Sequence, residues 1–94
     1  MELPKKIMIN GREYNVKERD NKETGATSLG TFDCRQSIIW IEKGLSDDQT
    51  LSTLIHEAIE AIDFQGELKM EHNKICVLET GIYSLITNND IFKK

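Results

Sequence analysis

GLSDDQTLSTLIHEAIEAIDFQG, residues 44 to 66, decides how this chain is read. Ser46 stands where an N-cap side chain accepts a hydrogen bond from a first-turn amide, and Asp47 and Asp48 place negative charge at the positive end of a helix dipole. Gly66 can close the far end. Between these signals Leu51, Leu54, Ile55, Ala58, Ile59 and Ile62 recur at helical spacing. The stretch therefore reads as one amphipathic helix with its apolar stripe centred on Leu51, Ala58 and Ile62.

Such a helix needs a surface to pack on, and the preceding chain supplies one. IMINGREYNV, residues 7 to 16, sets Asn10-Gly11 between two β-prone runs, and Asn-Gly accepts the positive φ angles of a two-residue type I′ turn. LGTFDCRQSIIWIE, residues 29 to 42, reads as a second hairpin, with a short run around Phe32, a polar turn near Asp33 to Ser37, and IIWI. Ile39 and Ile41 fall on one face of that strand and Ile38 and Trp40 on the other, as in a strand covered on at least part of both sides. ERDNKETGATS, residues 18 to 28, is polar and without apolar periodicity, and reads as an exposed loop.

A second helix is expected from about His72 to Asn88, with Ile75, Leu78, Ile82, Leu85 and Ile86 as its stripe. The short connection around ELKM makes the two helices an α-hairpin. The expected fold is α+β: two β-hairpins forming one antiparallel sheet packed on a two-helix α-hairpin, a single domain over residues 1–94.

A chain of 94 residues has room for one core and not for two. Twelve basic against 16 acidic residues give a net charge of −4, which offers no attraction to phosphate backbones or anionic membranes. Neither nucleic acid nor membrane is an expected partner. No apolar run of ~18 residues occurs, and MELPKKIMIN lacks the apolar core of a signal peptide, so a cytoplasmic location is expected. Cys34 and Cys76 lack CxxC spacing and read as small buried hydrophobes. Trp40 reads as core or interface.

The first helix contains His56-Glu57-Ala58-Ile59-Glu60, the HExxH string of zinc hydrolases with glutamate at the second histidine position. At about 100° per residue, His56 and Glu60 lie one turn apart on one side and Glu57 lies beside them. Two ligands and a neighbouring base can then share one site, with Glu57 free to take a proton from a metal-activated water. Carboxylate oxygen is an acceptable zinc donor. The same residues also suit a solvated helix face, since they lie opposite the apolar stripe.

On the second helix Glu79 falls about 20° from Ile86 and His72 lies on the same side two turns earlier, so both point inward or nearly so. A carboxylate turned toward a core needs a partner or an ion. His72 and Glu79 are about 10 Å apart along an ideal helix, so both cannot bind one ion unless His72 precedes the helix. A hydrogen-bonded polar network is the other use of such residues.

The order of hairpin, GTFD and IIWI, GLSDDQTLSTLIHEAIEAID, and EHNKICVLETGIYSLI resembles the small HExxH zincin-like proteins of bacteria and phages, related to the ImmA/IrrE metallopeptidases. The resemblance runs from about Ile7 to Asn88. It implies a minimal zincin-like domain that hydrolyses peptide bonds, with His56 as first ligand, Glu57 as general base, Glu60 in the second-ligand position and Glu79 as the downstream ligand. Glu60 in place of histidine makes the site harder and more anionic, so manganese or iron become candidates beside zinc, and His72 a reserve ligand. A protein or peptide partner is implied. The alternative is a non-catalytic binding or regulatory module of phage or prophage origin. Tyr83 is a minor candidate for polarising a substrate carbonyl.

Overall fold

The computed structural model describes residues 2–25 and 28–90, so residues 26 and 27 of the expected loop lie outside it. Both hairpins form. β1 (Lys6–Ile9) and β2 (Arg12–Arg19) run antiparallel with Ile7 opposite Tyr14. The turn between them places Asn10 at φ 52° and Gly11 at φ 80°, the two positive angles that an Asn-Gly type I′ turn needs. β3 (Gly30–Asp33) and β4 (Ile38–Glu42) pair antiparallel with Phe32 opposite Ile39. Their turn is held by the Asp33 carboxylate, which accepts from the backbone N–H groups of Arg35 and Gln36.

The hairpins do not join in the expected way. The strand order is β1-β2-β4-β3, and β2 runs parallel to β4 with Val16 opposite Ile39, so the sheet is mixed rather than wholly antiparallel. The physical reason lies in the two-sided apolar strand: Ile38, Ile39 and Ile41 are all buried, which favours an inner position for β4. β3 carries fewer apolar residues and takes the edge.

The connection that makes this crossing is more ordered than a polar loop. β2 extends through Arg19, and α1 (Asn21–Thr24) forms a single turn in which the Asp20 side chain accepts from the Lys22 backbone N–H. The Asn21 backbone N–H donates to Glu42 Oε1 and its side chain donates to the Ser28 carbonyl. Hydrogen bonding, not apolar burial, orders this stretch, which is why hydrophobic periodicity did not reveal it.

α2 (Asp47–Gly66) starts at Ser46 with a capping box in which Gln49 returns the bond. It ends one residue later than expected, because Gly66 is still helical and Glu67 takes the left-handed cap conformation. α3 (His72–Thr87) follows. The molecule has three layers, with α2 between the sheet and α3. Tyr14, Val16, Ile39, Ile41 and Ala61 form the core between sheet and α2. Gln65 ties the end of α2 to the first hairpin, donating to the Ile9 carbonyl and the Tyr14 hydroxyl. A smaller cluster, Ile55, Ile59 and Ile75, joins α2 to α3.

The expected stripe of α3 is not the face that packs. Ile75 is buried, but Leu78, Ile82 and Leu85 are 44%, 36% and 47% exposed. α3 meets α2 through Ile75, Tyr83 and Ile86 together with polar side chains, so the helix is rotated away from its most apolar face. Among the described residues no helix is long and apolar enough to cross a membrane.

Candidate metal site

The His-Glu face of α2 is not solvated. His56 and Glu60 are half-buried and Glu57 is only 6% exposed, because α3 covers one side of this face and β3 the other. The close approach of β3 depends on Gly30. A Cβ at that position would stand 2.6 Å from Thr53 Cγ2 and 3.1 Å from Glu57 Oε2, so only glycine lets the strand lie against the middle of α2.

α3 runs back along α2, as the contacts show: Met70 and Asp63 lie at the turn, Glu79 reaches Ser52 and His56, and Tyr83 reaches Asp48. The Glu79 carboxylate uses both oxygens. Oε2 accepts from the Ser52 hydroxyl, and Oε1 lies 2.7 Å from His56 Nδ1. With the carboxylate accepting, His56 donates from Nδ1 and keeps Nε2 free, the arrangement that orients a metal-binding histidine.

His56, Glu60 and His72 each offer one ligand atom, and these three atoms lie within 4.8 Å of one another. The rings of His56 and His72 are 5.2 Å apart. The geometry thus differs from the expected order of ligands: His72 stands in the converging group, and Glu79 stands behind His56. His72 is the first residue of α3, so it reaches across from the helix start while Glu79, two turns on, meets the far nitrogen of His56.

These residues line a cleft of about 740 Å³ between β3, α2 and α3. Glu57 opens into it, and among the described residues its carboxylate has no hydrogen-bond partner. Burial raises its pKa from 4.5 to about 7; the neighbouring His56 opposes the rise, and Glu60 adds to it. A carboxylate drawn largely out of water is favoured by a nearby cation or proton. Two imidazoles and a carboxylate converging beside it are a donor set suited to a divalent ion such as zinc. The residues therefore fit a metal. Tyr83 also lines the cleft, and the nearby Asp48 carboxylate raises the pKa of its hydroxyl.

Two participants were missed in the sequence. Ser52 lies one turn before His56 and supports Glu79. Cys76 is half-buried in the cleft, not a plain core residue, with Sγ 3.3 Å from His72 Nε2. The signal for Cys76 was the His72-x-x-x-Cys76 spacing, one helical turn, which a search for CxxC passes over. Cys34 is likewise half-buried.

Comparison with known proteins finds no matching family model, no matching curated protein and no matching solved structure. A functional reading of the chain rests on its own residues and their geometry.

Proposed function

We propose that the chain is a metal-dependent hydrolase of minimal zincin-like type, with a divalent ion held by His56, Glu60 and His72 and peptide bonds as its substrate. The observation that carries this reading is the convergence of the His56, Glu60 and His72 donors in the cleft into which Glu57, only 6% exposed, also opens. When bound, the ion supplies the Lewis acidity that makes a water molecule nucleophilic near neutral pH.

Each side chain then has a separate task. Glu57 accepts the proton of the attacking water and delivers it to the departing nitrogen, a role served by a carboxyl group whose pKa lies near neutrality. Glu79 positions His56 through Nδ1, and Ser52 positions Glu79. β3 is an edge strand, and its Gly30, Thr31 and Phe32, with Leu29 just before it, line the cleft. An extended peptide paired to that edge would have its backbone drawn past Glu57, which favours a peptide over a compact small molecule.

Elemental analysis of protein purified without chelator, combined with mass-spectrometric analysis of a peptide library, tests the proposal. Wild-type protein is expected to carry a divalent metal and cleave peptides. His56→Ala should lose both properties, and Glu57→Gln should keep the metal while turnover falls by about 10² or more. Metal retained without turnover in wild type would leave a binding or regulatory module. No metal above background, and no binding of zinc, manganese or iron by calorimetry, would remove the metal reading altogether.

A further inference from the structure

The open space along β3 does not end at the converging donors. A second cavity, of about 680 Å³, opens between β3 and the last turns of α2, and Phe32 and Glu60 line both. The groove is therefore continuous. His56, Glu60 and Phe64 stand four residues apart on α2, so they lie along one side of the helix, with Phe64 about 6 Å further along the axis than Glu60. On β3, Gly30 lies against Thr53 and Glu57, and Phe32, two residues on and on the same face, lies against Phe64. Strand and helix thus carry the groove in the same direction.

The second cavity differs in chemistry from the first. Its floor is aromatic: the Phe32 and Phe64 rings meet edge to face with centroids 5.8 Å apart, and Phe64 remains 49% exposed. A ring left so open gains when apolar surface covers it. The charged rim sets no competing preference, since Asp63 and Glu67 stand against Arg12 and Lys69 once Glu60 is committed to the ion. We propose that this cavity binds a large apolar side chain, aromatic or branched aliphatic, of the peptide whose backbone pairs with β3. The inference rests on the hydrolase reading above and names its substrate class.

The register of that peptide follows from the same spacings. Two residues of extended chain span about 6.7 Å, close to the step from Glu60 to Phe64. Antiparallel pairing is the more stable kind, and a peptide so paired runs from Phe32 toward Gly30. Its apolar residue then precedes the cut bond by about two positions.

Cleavage sites in a peptide library, read by mass spectrometry with metal-loaded wild type, test this. Phenylalanine, leucine and isoleucine should be enriched about two positions before the cut. Replacing that residue by alanine should lower kcat/KM about ten-fold or more, the effect of burying one large apolar side chain. Phe64→Ala should narrow the gap between the two peptides, and Phe64→Leu should keep it. Phe64→Glu should move the preference to lysine and arginine, which a loss of folding would not produce. A second measurement is independent of turnover. In fluorescence anisotropy, Glu57→Gln should bind a labelled apolar peptide about ten-fold more tightly than its alanine counterpart, and adding Phe64→Ala should erase the difference. Cleavage without apolar enrichment at that position, or a preference untouched by Phe64→Ala, overturns the subsite and leaves the hydrolase reading standing. Selective binding without any cleavage supports the subsite and overturns the hydrolase reading. Neither binding nor cleavage overturns both.

Discussion

Helix α2 has two neighbours and meets them in different ways. Toward the sheet it contributes Ala61 to a core with Tyr14, Val16, Ile39 and Ile41, where Ile39, Ile41 and Ala61 are wholly excluded from solvent. Toward α3 only Ile55, Ile59 and Ile75 are buried, and polar contact across the interface is made by Ser52, His56, Glu79 and His72. Meanwhile Leu78, Ile82 and Leu85 of α3 stay exposed. The first interface is arranged for apolar burial. The second gives up burial that the sequence could have provided and keeps polar donors together instead. That difference separates the stabilising half of the molecule from the half that carries the site.

The comparison can be broken most severely in the sheet core. Ile39→Ala removes methyl groups from a site with no solvent access and should destabilise the protein by about 2–5 kcal/mol, read by denaturant unfolding. A loss no larger than that of a surface substitution would mean that the sheet and α2 do not form the principal core.

The next effect lies at the boundary between the two halves, at Glu57. Its pKa rises from 4.5 to about 7 on folding, chiefly through burial. Below pH 4.5 both folded and unfolded chains hold the proton and Glu57 adds no pH dependence. Between there and about pH 7 the unfolded chain ionises while the folded one does not, so stability is lost as pH rises; above that range both are ionised and the loss is constant. In chelator-treated protein this loss should reach at most about 3.4 kcal/mol, from 1.36 kcal/mol per unit. Glu57→Gln should abolish it. Parallel stability profiles for wild type and Glu57→Gln between pH 5 and 8 would contradict the burial of an unpartnered carboxylate.

The smallest effect is expected on the outer face of α3. Leu78 is 44% exposed, and Leu78→Ala should change stability by no more than about 0.5 kcal/mol, measured in the same unfolding experiment. A cost near that of Ile39→Ala would show that this face is covered in solution and that the contrast between the interfaces has been drawn in the wrong place.

Much of the local structure was legible in the sequence. Asn10-Gly11 marked the first turn, Ser46 marked the start of α2, and the two-sided apolar pattern of residues 38 to 41 marked a strand covered on both faces. The spacing of His56, Glu57 and Glu60 showed that they share one side of a helix, and the stripe showed that Glu79 turns inward; both placements appear in the structure. The rotation of α3 was not legible. An apolar stripe shows which face gains most by burial in isolation, and the face opposite α2 was set instead by Ile75, Tyr83 and Ile86 with the polar pairs.

The sequence by itself determined where both hairpins and the two long helices lie, though not α1, since caps, turn residues and periodicity act over only a few neighbouring residues. Tertiary structure alone decided that β4 enters between β2 and β3, that Gly30 admits β3 against Glu57, and which faces of α2 and α3 meet. Those choices depend on burial summed over surfaces whose residues lie far apart along the chain. A pattern read along one segment does not contain the shape or the polar groups of its partner.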